Sequence, residues 1–132
     1  MTGEIFGLMK DNSILSYMLD SDSWKKQAFA EGIERANSPG GLLNHLFGIR
    51  SKSLFNELQE DSASSYLSGL LVGHEINSTD VNENSPEIFL IGDGKLVDLY
   101  ATALSLKKYG VRRLPEDVTA TGLFRIAQSQ FI

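Results

Sequence analysis

The residues of this chain with most to offer a ligand are Gly92, Asp93 and Gly94, set within Ile88-Phe89-Leu90-Ile91-Gly92-Asp93-Gly94-Lys95-Leu96-Val97. An unbroken apolar run stops at this turn and a helical pattern begins. In open parallel sheets, ligands sit at the carboxyl ends of strands, where such a turn falls. Glycine permits the tight bend and keeps a Cβ out of the way of a flat ring. Asp93 occupies the place of a helix cap, with its carboxylate in reach of the amides of Lys95 or Leu96. That use fills the groups a phosphate would need and adds a negative charge beside them. Gly92, Asp93, Gly94 and Lys95 therefore suit a purine or ribose better than a triphosphate. A capped turn with no ligand is the competing reading. The dinucleotide pattern G-x-G-x-x-G is met only in part. Val97 holds its third glycine position, while Glu116 and Asp117 lie roughly where the acidic partner is expected.

Other chemistry is thin. His45 and His74 are far apart in sequence and read as surface or helix-packing residues rather than catalysts. No H-x-x-x-H pair, acidic metal constellation, G-x-x-x-x-G-K-[ST] loop or G-x-S-x-G elbow occurs. With no cysteine in the chain, disulfides, thiolate metal sites and cysteine nucleophiles are excluded. The formal net charge of -5 comes without a Lys/Arg cluster, so no nucleic-acid partner is expected. Lys25-Lys26 and Arg112-Arg113 read as solvated faces. No apolar run is long enough to span a membrane and no export signal opens the chain, so a cytoplasmic location is expected. Asn77-Ser78-Thr79 fits a glycosylation sequon but reads as loop composition.

These residues need elements to position them, and 132 residues are enough for one domain with a real core. The first two-thirds read as helical. Glu4–Met9 follows Thr2, a candidate cap. Ser23–Ala36 follows Asp20-Ser21-Asp22, which offers more caps. Ser38-Pro39-Gly40-Gly41 breaks the chain. Leu42, Leu43, Leu46, Phe47 and Ile49 form the next apolar stripe. Asp61-Ser62 caps a fourth helix running to about Ile76. Within it Gly69 and Gly73 share a face, at a cost of about 1 kcal/mol each relative to alanine. Either close helix packing or a groove for another backbone would account for them. Asn77 to Pro86 is a polar loop. Ile88–Ile91 then suits a strand covered on both faces. Leu96–Lys108 is amphipathic, with Leu96, Val97, Tyr100, Ala101, Ala103 and Leu104 inward and Gly110 as C-cap. Val111–Leu114 is a second strand, and Pro115-Glu116-Asp117 starts a last helix. The result is a helix-rich α/β chain with one β-α-β unit. Two strands make an incomplete sheet, so either the domain is unusually helical or part of the sheet lies elsewhere.

In order along the chain, MTGEIFGLMKDNSIL, GLLNHLFGIRSKSLF, SYLSGLLVGHEI, IFLIGDGKLVDLYATAL and GLFRIA resemble the second half of 2-dehydro-3-deoxygalactonokinases. The resemblance implies the C-terminal ribonuclease-H-like lobe of an actin/hexokinase-like ATPase, with 1–132 as a single domain. It places Gly92-Asp93-Gly94 at the superfamily's adenosine motif, and Gly69 and Gly73 on the small-residue helix at the interdomain hinge. The implied reaction is phosphorylation of 2-dehydro-3-deoxy-galactonate at its terminal hydroxyl by ATP with Mg²⁺. The family's first lobe, with its phosphate loop, and a second phosphate hairpin have no counterpart here, and Met1 matches an internal methionine. Phosphoryl transfer needs phosphates, metal and acceptor held in line. The chain alone is therefore expected to be inactive, with a second copy or a complementary N-terminal lobe as its partner. The rival readings are a non-catalytic, self-associating or partner-binding module, and a small dinucleotide-binding module.

Overall fold

The computed structural model describes residues 1–19, 23–79, 87–92 and 94–130. The expected caps at Asp20-Ser21-Asp22, most of the expected Asn77–Pro86 loop and the expected cap Asp93 lie outside them. Two units are present, Met1–Asn82 and Glu83–Ile132. The first carries helices α1 (Thr2–Asn12), α2 (Lys26–Ala36), α3 (Gly41–Leu54) and α4 (Glu60–Ser78), with a short 3₁₀ turn at Ser16–Met18. The second carries β1 (Ile88–Ile91), α5 (Gly94–Leu106), β2 (Val111–Leu114) and α6 (Asp117–Gln130). Both strands have the boundaries expected from the sequence.

Helix α4 is the axis of the first unit. Its residues from Ala63 to Gly73 are buried almost without interruption, polar Ser64 and Ser65 included. A helix buried all round shows no one-sided apolar stripe, so its sequence does not announce its position. The serines are satisfied locally. Ser64 donates to the Leu19 carbonyl at 2.8 Å, and Ser65 Oγ accepts the Lys25 amide at 3.0 Å. Asn77 donates its amide to the Ala36 carbonyl at 2.9 Å, satisfying a carbonyl that ends α2.

Small residues set the distance between α2 and α4. Ala28, Gly32 and Ala36 recur every four residues on the buried face of α2, opposite Gly69 and Gly73. A Cβ on Gly69 would lie 2.0 Å from the Phe29 carbonyl oxygen, and one on Gly32 would lie 2.2 Å from that of Tyr66. A Cβ on Gly73 would stand 2.8 Å from that of Ala36. Backbone therefore rests on backbone, and the close-packing reading of Gly69 and Gly73 describes what they touch within this chain.

Several local expectations are corrected. Thr2 does not cap α1; it lies inside the helix and its hydroxyl donates to the Glu75 carboxylate of α4. Asp61 and Ser62 do not cap α4, whose N-cap is Gln59; Asp61 instead pairs with Lys25 at 2.8 Å. That ammonium, then the Ser62 hydroxyl, holds the Asp61 carboxyl below its ordinary value. The five apolar residues of α3 do not share a face. Ile49 is buried and Leu42 and Leu46 pack on the core, whereas Leu43 and Phe47 are exposed. On α5, Leu96 is exposed while Ala101, Ala103 and Leu104 are buried.

Gly110 is not the C-cap of α5. Lys108 takes the left-handed conformation (φ 65°), and the Tyr109 amide donates back to the Leu104 carbonyl at 3.0 Å. The Gly110 carbonyl instead accepts the Ile88 amide at 2.8 Å, on the strand ladder. A non-glycine residue in this conformation costs about 1–2 kcal/mol. Lys108→Gly is thus expected to stabilise the second unit by about 1 kcal/mol, read as a higher urea midpoint with unchanged slope.

Candidate functional site

Strands β1 and β2 are parallel, with Ile88 opposite Val111 and Ile91 opposite Leu114. Gly92 and Pro115 therefore leave the sheet side by side at its carboxyl end, where α/β sheets take ligands. Gly92 (φ 137°) and Gly94 (φ 78°) both hold conformations that side chains resist. A Cβ on Gly94 would meet open space, so its backbone, not crowding, demands glycine. A Cβ on Gly92 would meet Val97 Cγ2 at 3.2 Å. Lys95 and Glu116 are exposed at this end. Along α5, Asp98 pairs with Arg113 of β2 at 2.5 Å, tying the helix to the face it covers. At Gly94 the backbone is thus uncrowded by neighbouring atoms at the carboxyl end of β1. Among the described residues no group of three His, Cys, Asp or Glu is gathered to hold a metal ion.

The first unit contains a constellation that sequence reading missed. His45 of α3 is 1% exposed. Its Nδ1 lies 2.9 Å from His74 Nε2 on α4, and its Nε2 lies 3.1 Å from the Pro39 carbonyl. A carbonyl only accepts, so Nε2 of His45 carries a proton and donates it. In the neutral pair, His45 Nδ1 is then a bare acceptor for the N–H of His74. The pair locks α4 to the Pro39-Gly40 turn, where Gly40 (φ 128°) admits the sharp entry into α3. The helix-packing reading of His45 describes its place; the sequence signal for the pairing was one inward-facing histidine on each of two consecutive helices.

Burial, then the neighbouring His45, pushes the His74 pKa below its ordinary 6.5. A depressed folded-state pKa means that the unfolded chain binds the proton more readily. The stabilisation is whole above about pH 6.5 and is lost as pH falls through the lowered value. Melting temperature is expected to drop between pH 7 and 5, and His74→Gln to flatten that drop. An equal drop in both proteins would exclude His74 as its source.

The strand, glycine turn and helix define a helix-rich α/β protein with a small parallel sheet. Comparison with known proteins narrows the class. The 2-keto-3-deoxy-galactonokinase family matches residues 1–126, and the chain belongs to that family. It is 32% identical over 122 residues to "Probable 2-dehydro-3-deoxygalactonokinase DgoK1" of Rhizobium meliloti (strain 1021), covering 89% of this chain and 40% of the relative. It is 31% identical over 104 residues to the Escherichia coli (strain K12) 2-dehydro-3-deoxygalactonokinase, covering 78% of this chain and 36% of that protein. A crystal structure from Sinorhizobium meliloti carrying the same enzyme name superposes with a TM-score of 0.79 at 32% identity, over 89% of this chain and 40% of its own. The chain thus spans about two-fifths of the relatives it matches. Among the described residues no helix is long and apolar enough to cross a membrane.

Proposed function

We infer that this chain supplies the adenosine-binding part of an ATP- and Mg²⁺-dependent kinase acting on 2-dehydro-3-deoxy-galactonate. The observation that carries this reading is the family match over residues 1–126, combined with an open glycine turn at the sheet's carboxyl end. In it, both units belong to one actin-like ATPase lobe, located in the cytoplasm. Gly92, Asp93, Gly94 and Lys95 face the purine and ribose. Phosphates, metal and sugar acid are held by polypeptide outside these 132 residues, so the chain is inactive alone. Gly69 and Gly73 act at the hinge through the stiffness they give the α2–α4 pair, since their own faces are filled by α2.

Calorimetric titration of the chain with ATP and with adenosine tests this. Weak binding of similar strength is expected for both. Binding of neither, or binding that needs the triphosphate, would contradict base-end recognition, and so would rapid ATP turnover by the chain unaided.

A further inference from the structure

Helix α3 carries a second apolar seam, turned away from the side it buries. Its core side holds His45 and Ile49, with Leu42 and Leu46 packed on the core beside them. On the outer side Leu43 is 82% exposed, Phe47 66% and Leu54 64%, and Phe55 follows the helix end at 77%. Arg50, half-buried, falls on the same line. Positions 43, 47, 50 and 54 are spaced four, three and four apart, the spacing of a coiled-coil seam over two heptads. That spacing reads the same in both directions. Two antiparallel copies of α3 therefore match seam to seam about a two-fold axis. Leu43 of each copy then faces Leu54 of the other, and Phe47 of each faces Arg50 of the other.

Arg50 decides what the seam suits. A guanidinium in the middle of an apolar seam is a poor match for an aliphatic face, where its charge loses water without compensation. Against an aromatic ring it is attracted by the ring's quadrupole while its stem still packs. A second copy presents Phe47 at that place. Size agrees with this occupant. At about 150–250 Å² for a large apolar side chain, four that are mostly exposed offer roughly 500 Å² per copy. The pair would bury roughly 1,000 Å², the lower bound for a specific interface, which fits a reversible dimer rather than a permanent one. We propose that α3 is a self-association surface, on which two copies of this chain pair antiparallel through Leu43, Phe47, Arg50 and Leu54. This goes beyond the kinase reading and does not depend on it.

Sedimentation equilibrium of the full 132-residue chain reads the association. A monomer–dimer equilibrium is expected within roughly 1–100 μM. Phe47→Lys sets an ammonium against Arg50 and should raise the dissociation constant about tenfold or more. Phe47→Tyr keeps the ring and should change it by less than about threefold. Phe89→Lys, on the exposed part of β1, should leave it unchanged. Because the chain has no cysteine, introduced thiols report the register. Leu43→Cys mixed with Leu54→Cys should give a disulfide-linked pair. Either variant alone should not, since its two thiols would sit about 16 Å apart along the antiparallel axis. A monomer throughout would overturn the proposal and leave the seam to a different polypeptide. Association abolished by Phe89→Lys but not by Phe47→Lys, or Leu43→Cys crosslinking to itself, would overturn it as well.

Discussion

Gly69→Ala is expected to destabilise the first unit by about 3 kcal/mol or more, close to the upper range for overpacking a core. The added methyl would lie 2.0 Å from the Phe29 carbonyl oxygen and 2.8 Å from its carbonyl carbon. Both are backbone atoms of a helix, so no side chain can turn aside. The helices must separate, which opens voids around Phe29, Leu67 and Leu70, all fully buried. Gly48→Ala is the contrast. Gly48 lies inside α3, and a Cβ there meets nothing within 4 Å. Alanine's better helix propensity should make that variant more stable by about 0.5–1 kcal/mol. Urea unfolding of both variants checks the pair, and equal effects would mean that crowding at Gly69 is not what matters.

His45→Ala is the second large effect, expected at about 2–4 kcal/mol. It removes a fully buried ring and leaves a cavity. It also strips the Pro39 carbonyl of its donor and the His74 N–H of its acceptor. An unsatisfied buried polar group costs about 1–3 kcal/mol. His45→Gln separates the two contributions, since an amide can reach one of those partners but not replace the ring. A stability for His45→Gln near that of wild type would show that hydrogen bonding, not volume, dominates. If His45→Ala itself proved mild, the histidine pair would not be the lock between α3 and α4.

Local grammar was legible where a rule of short range decides. The strand at Ile88–Ile91 is a short apolar run ended by a glycine turn, that at Val111–Leu114 is bracketed by Gly110 and Pro115, and their limits came out as expected. The Pro39-Gly40 break and the glycine turn after β1 were readable for the same reason. What escaped depended on partners distant in sequence. Thr2 is an ordinary cap candidate until Glu75 lies beside it. Gly110 is the obvious helix stop, yet α5 ends at Leu106, so the left-handed position falls on Lys108, while the Gly110 carbonyl is engaged by Ile88. Gly32 went unremarked although Ala28, Gly32 and Ala36 repeat the four-residue spacing noticed at Gly69 and Gly73. Leu43 and Phe47 looked inward because α3 is apolar on more than one side. The Gly92 and Gly94 conformations follow from the turn itself, whereas the position of Asp93 lies outside the described residues.

The α2–α4 contact reverses the usual relation between side-chain size and permissiveness. In most interiors the bulky aliphatic positions are the guarded ones and small positions drift. Here, at 32 and 69, the criterion is atomic bulk rather than polarity, so even a single carbon is too much. A saturation library selected for folding should keep leucine–methionine exchanges nearby while purging every non-glycine codon at those two sites.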